Sequence, residues 1–174
     1  MKKTLLICND YPLPEVTGGN IRTMNFVRFF RTLGTVDIAY SQVLGDTKPS
    51  NDLFANEYFL TKPPFPRNFT GRLAHILKGC PYPVRPLSKP DSERLYLFIQ
   101  KNQYDYIVVR YIVNAYHLLK LQGSMHSRII VDFDDVFSGS LYETLFDESR
   151  NFLKILFRRI NRSLLLAYEK KCLR

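Results

Sequence analysis

Tryptophan is absent from the sequence, and histidine and cysteine appear only three times each. Cys8, Cys80 and Cys172 are odd in number, far apart and without a CxxC pair, which argues against a disulfide framework or structural zinc and for a reducing compartment. His75, His117 and His126 form neither an HExxH pair nor a triad spacing, so each reads as structural or exposed. No apolar run reaches the roughly 20 residues that a bilayer-spanning helix needs. The opening MKKTLLICND is too short in its apolar part for a signal peptide and is broken at Asn9 and Asp10. These absences predict a cytoplasmic protein. No RNA-binding motif and no basic-aromatic interleaving is present, so nucleic acid is not an expected partner. Repeats and low-complexity tracts are also missing.

What is present is an ordinary globular balance with a basic excess. The 174 residues are 45% hydrophobic and 24% charged, enough for one domain, residues 1–174, with a real core. Lys and Arg number 25 against 16 Asp and Glu, a formal net charge of +9. That excess favours an anionic partner such as nucleotide phosphates, nucleic acid or an acidic membrane, without choosing among them.

The chain is organised around residues 4–33. An apolar run, Thr4 to Cys8, reads as a buried strand. A loop with Pro12, Pro14 and the pair Gly18-Gly19 follows, and then a helix in which Phe26, Phe29, Phe30 and Leu33 recur at helical spacing. Gly34 is placed to stop that helix. Strand, glycine loop and helix in this order bring backbone N–H groups and the positive helix end to one spot, which suits a phosphate. The same pair also fits a permissive turn.

Further strands are expected at 35–40, 57–61, 106–109 and 128–133. Helices are expected at 69–78, after a cap at Asp91, at 115–122 and from about 151 to the end. Proline-rich segments at 62–68 and 80–90 exclude regular structure there. In the last helix Leu153, Leu156, Phe157, Ile160, Leu164, Ala167 and Tyr168 form an apolar stripe opposite Lys154, Arg158 and Arg162. Such a helix serves either as a core helix with a solvated back or as a contact with an anionic membrane surface.

Strands alternating with helices predict an α/β domain with a mostly parallel sheet covered on both faces, a Rossmann-like three-layer αβα arrangement. Ligands bind such sheets outside the carboxyl ends of the strands. That rule gathers Gly18 and Gly19 after the first strand, Arg110 and Tyr111 after the Tyr106 strand, and Asp132, Asp134 and Asp135 after the Ile129 strand. The acidic cluster can hold Mg²⁺ or act as nucleophile and general acid. It is similar to the first motif of haloacid-dehalogenase-type phosphatases, which would make Asp132 the nucleophile and Asp134 the acid. That motif normally opens a domain, whereas here a single helix follows it. The alternative is a loop-end cluster with no chemistry.

Pro12-Leu13-Pro14 followed by Gly18-Gly19-Asn20-Ile21-Arg22 and an aromatic-rich helix resembles the start of GT-B-fold glycosyltransferases, particularly family four. Residues 78–84 (KGCPYPV), 104–108 (YDYIV) and the final helix with Tyr168-Glu169 before Lys170-Lys171 resemble segments of that family's amino-terminal domain. The resemblance implies one half of a GT-B fold, the acceptor side of a retaining, metal-free transferase. A nucleotide-sugar would be the co-substrate, the acceptor a glycan or lipid-linked molecule, and no resident cofactor is implied. Gly18 and Gly19 would be donor-facing backbone, with Arg22 near phosphate or acceptor. Arg110, Tyr111, Asp132 and Asp134 would line the acceptor-side cleft. The family often has a histidine where Arg110 stands and a His-Asp or similar pair where Asp134 and Asp135 stand, so those two are catalytic candidates only. The donor-binding carboxy-terminal domain is expected to be missing from these residues, which alone would be inactive. A Mg²⁺-dependent phosphatase and a non-catalytic basic membrane-binding module are the alternatives.

Overall fold

The computed structural model describes residues 1–42, 52–62, 69–78, 80–81, 84, 87–111, 114–115, 118, 127–133 and 152–172. Among the described residues five strands carry the fold: β1 (Lys2–Ile7), β2 (Gly34–Tyr40), β3 (Glu57–Phe59), β4 (Tyr106–Arg110) and β5 (Arg128–Asp132). They form one sheet in the order β3-β2-β1-β4-β5, and every pairing is parallel. Four helices accompany them among the described residues: α1 (Gly18–Leu33), α2 (Phe69–Leu77), α3 (Lys89–Asn102) and α4 (Phe152–Cys172).

A parallel strand buried on both faces needs apolar residues at successive positions. The central strands meet that condition, with Leu5, Leu6 and Ile7 and again Ile107, Val108 and Val109 all buried. Alternate residues then serve opposite layers. Leu6, Val36, Ile38 and Val108 cluster with Met24, Val27 and Phe30 of α1. Leu5, Ile7, Ala39, Ile107 and Val109 cluster with Leu95 and Ile99 of α3. The result is a three-layer α/β Rossmann-like domain.

Local chemistry fixes the helix ends. Thr17 caps α1 by accepting a hydrogen bond from Asn20 N at 3.1 Å. Gly34 ends α1 and opens β2 at once, its N–H donating to Phe30 O. No other residue fits there, because an added Cβ would overlap the Lys2 backbone in the adjoining strand. The cap of α3 is Ser88 and not the expected Asp91. Ser88 Oγ accepts from Asp91 N at 3.2 Å and donates to Asp91 Oδ2 at 2.5 Å. A hydroxyl three residues ahead of an acid makes a reciprocal capping pair, and Pro90 tolerates the first turn. The helix therefore starts inside the segment expected to be irregular up to residue 90.

Two apolar faces are rotated from expectation. Along α1 the buried residues are Asn20, Thr23, Met24, Val27 and Phe30, whereas Phe29 and Leu33 are exposed. The helix sits over β1 and β2, so Phe29 and Leu33 point past the sheet. Along α4 the buried side chains are Asn161, Leu165, Tyr168 and Glu169, while Leu156 and Ile160 are each 43% exposed. Leu165 and Tyr168 of its second half pack against Cys80, Val84 and Phe133. The helix expected at 115–122 lies largely outside the described residues, although Ala115 and Leu118 belong to the core. Cys8 is a buried small group as expected, and burial pushes its thiol up to about 12.

Candidate functional site at the strand reversal

From β1 the chain runs through β2 to β3 on one side, while β4 and β5 lie on the other. Loops after β1 and β4 therefore diverge, which opens a crevice at the carboxyl ends of these two strands. Gly18 and Gly19 open α1 at that edge, after the loop that leaves β1. Arg110 ends β4 beside Asp132 at the end of β5, the two being register partners.

Arg110 is fully buried, and its guanidinium organises the crevice floor. Nε donates to Thr23 Oγ1 at 3.0 Å, Nη2 donates to the Gly19 carbonyl at 3.3 Å, and Nη1 is ion-paired with Asp132 Oδ2. Thr23 Oγ1 also donates to Gly19 O at 2.7 Å. The planar fork of an arginine suits such a set of fixed acceptors, and lysine does not supply it. The other oxygen of Asp132 accepts from Arg22 Nη2 at 2.6 Å. Arg22 is 46% exposed, against 7% for the Asp132 side chain. Arg110 is thus a buttress beneath the glycine turn, and Arg22 is the guanidinium at the rim.

Tyr111 continues this layer. Its ring lies over the Arg110 guanidinium at 4.8 Å, and the Phe26 ring lies at 5.6 Å. The Tyr111 backbone is left-handed at φ 63°, a costly conformation for a bulky residue and one found at sites the surrounding fold over-determines. Tyr111 Oη reaches the space beside Gly19, where an added Cβ would overlap it. Gly18 has open space around it. Glycine at 19 is therefore required by close approach, and glycine at 18 leaves backbone accessible.

Three polar residues at this edge carry no sequence motif and were not expected there. Lys62 Nζ donates to Asn9 Oδ1 at 2.5 Å and to Asn114 Oδ1 at 2.7 Å. Asn114 Nδ2 donates to the Arg110 carbonyl at 2.6 Å. Lys62 follows β3, Asn9 follows β1 and Asn114 follows β4, so one ammonium ties three strand ends. Asn9 is held in turn by Ser41 N and Gln42 N, each donating to its carbonyl at 2.9 Å. Asp10 follows Asn9 and pairs with Gln42 in an isolated parallel bridge. Burial raises its carboxyl above the usual range, with Lys62 acting in the opposite direction. A polar residue directly after a buried strand was the available signal for Asn9 and Asp10, and prolines 63 and 64 mark where Lys62 leaves the sheet.

The expected site residues Gly18, Gly19, Arg22, Arg110, Tyr111 and Asp132 are thus brought to one edge. Asp134 and Asp135 lie outside the described residues. Among the described residues no group of three His, Cys, Asp or Glu side chains is placed to hold a metal ion, and no helix is long and apolar enough to cross a membrane.

This strand order and layering define a Rossmann-like domain, and known structures contain the same arrangement. The chain is similar to sucrose-phosphate synthase from Thermosynechococcus elongatus, with a TM-score of 0.54 and 14% identity over 92% of this chain. It spans 40% of the length of that protein. At this identity the likeness establishes the fold. No family model matches the sequence, and no curated protein matches it.

Proposed function

We propose that residues 1–174 form the acceptor-side half of a glycosyltransferase that moves a sugar from a nucleotide-sugar to a glycan or lipid-linked acceptor. One observation carries this reading: the glycine turn, the buttressed Arg110 and the rim guanidinium of Arg22 converge on the crevice at the strand reversal. The likeness in fold to sucrose-phosphate synthase supports the same class. In this reading the accessible backbone at Gly18 and Gly19 faces the donor, whose diphosphate is stabilised by the amino-terminal end of α1. Arg22 adds a guanidinium suited to phosphate oxygens. Asp132 positions Arg22 and shares its charge with Arg110. With both oxygens ion-paired it acts as a positioning group and not as a nucleophile, which favours transfer over phosphate-ester hydrolysis. The second wall of the cleft belongs to a carboxy-terminal domain beyond these residues, and no metal or resident cofactor is invoked.

Saturation-transfer NMR with a panel of nucleotide-sugars tests the reading. The expected result is weak, metal-independent binding that Arg22→Ala weakens further. Tight Mg²⁺-dependent binding, or phosphate-ester hydrolysis abolished by Asp132→Asn, would overturn it in favour of a phosphatase.

A further inference from the structure

The flank of α1 that turns away from the crevice carries a second concavity. Arg22 and Phe26 face Asp132 and Arg110 on one flank. Met24, Val27, Arg28, Arg31 and Thr32 line a groove on the other, closed by Leu13 and Glu15 from the loop after β1 and by Leu53. Its volume is about 440 Å³, within the roughly 300–1,000 Å³ common for small-molecule sites. Met24 and Val27 provide a floor that belongs to the core, and Leu13 and Leu53 pack against the same cluster. Ile21, one turn before Met24 and Asn25 on the same helix, is 46% exposed, and Val16 beside Glu15 is 69% exposed. The groove is thus apolar at its base.

Its charged groups are unequal. Arg28 forms an ion pair with Glu15 and donates to Asn25 Oδ1 at 3.1 Å, so that wall is neutral overall. Arg31 is exposed and has no hydrogen bond or ion pair among the described residues. Among the described residues one uncompensated guanidinium therefore stands beside an apolar trough. An arginine in the last turn of a helix also interacts favourably with the helix dipole, an effect that would appear in stability and not in ligand binding.

We propose that this groove binds an anionic amphiphile, a single apolar chain lying over Met24, Val27, Leu13 and Leu53 with its phosphate or carboxylate head on Arg31. The chain would gain by removing apolar surface from water, and the head by a charge-assisted contact. This inference is independent of the transferase reading, because the groove shares no residue with the crevice.

Amide chemical-shift titration with dodecyl phosphate below its micelle concentration tests it, with dodecyl maltoside and inorganic phosphate as the other probes. Dodecyl phosphate is expected to shift Met24, Val27, Arg31 and Leu53 and to bind more tightly than either control. Arg31→Glu should weaken it about tenfold, the loss of one charge-assisted contact, while leaving binding of the maltoside unchanged. Thr32→Glu, at an exposed position on the groove wall, should act in the same direction if the first variant folds poorly. Equal binding of dodecyl maltoside would mark a merely sticky apolar face, and equal binding of inorganic phosphate a simple anion contact. Either result, or indifference of dodecyl phosphate to both substitutions, would overturn the proposal.

Discussion

Arg110 and Arg22 touch the same carboxylate, yet they have different energetic roles. Arg110 is fully buried and has each side-chain nitrogen committed, to Thr23, Gly19 and Asp132. Removing it leaves Asp132 buried beside lost donors, and breaking such a pair costs about 3–5 kcal/mol. Arg22 is nearly half exposed, and an exposed pair contributes less than about 1 kcal/mol. Urea unfolding should therefore show a large loss for Arg110→Met and a small one for Arg22→Ala; similar losses would contradict the buttress role. Asp10 supplies a second contrast. Burial raises its folded pKa, so the group favours folding while protonated and loses that contribution as pH rises through the raised value. Asp10→Asn is thus expected to raise the melting temperature at neutral pH and to lose this advantage near pH 3, read from thermal melts across that range. A destabilised variant at neutral pH would point to a charged interaction outweighing burial. Neither role was legible in the residue order. The sequence places Arg110 and Asp132 at strand ends, but only the register of β4 with β5 sets them side by side.

Among the elements, the junction where α1 passes directly into β2 leaves no room for a side chain. Gly34 belongs to β2, stops α1 and lies against the Lys2 backbone in register. A methyl group there cannot be relieved by a side-chain rotation, since the overlapping atoms are main chain. Gly34→Ala should cost about 3 kcal/mol or more, at the upper end of overpacking losses, because the β1–β2 pairing must open. Denaturation with a loss below 1 kcal/mol would mean that the strand start shifts freely. The sequence identifies Gly34 as a helix stop, and its strand role comes from packing. The same division holds elsewhere. Unbroken apolar runs made β1, β4 and β5 legible to within about two residues, the usual scatter of element ends. Helix faces were harder, because α1 and α4 each carry more apolar residues than one buried stripe requires. Which stripe turns inward depends on where the helix crosses the sheet, and that is a tertiary choice.

At the scale of the molecule, strand order decides where chemistry can occur. Alternating strands and helices were enough to predict a parallel sheet, and parallelism alone places Gly18, Arg110 and Asp132 at one edge. The order β3-β2-β1-β4-β5 adds the crevice between the β1 and β4 ends. It also adds Lys62, Asn9 and Asn114, which are separated in the chain and joined only by that order. The proposed transferase role requires this crevice, and not another surface, to receive the nucleotide-sugar. Titrating the ¹⁵N-labelled chain with a nucleoside diphosphate and following its amide shifts tests that requirement directly. The largest shifts are expected to cluster at Asn9, Asp10, Gly18, Gly19, Arg22 and Tyr111 and to diminish in Arg22→Ala. Shifts concentrated elsewhere, for instance along α3 or α4, with these six positions unmoved, would contradict it.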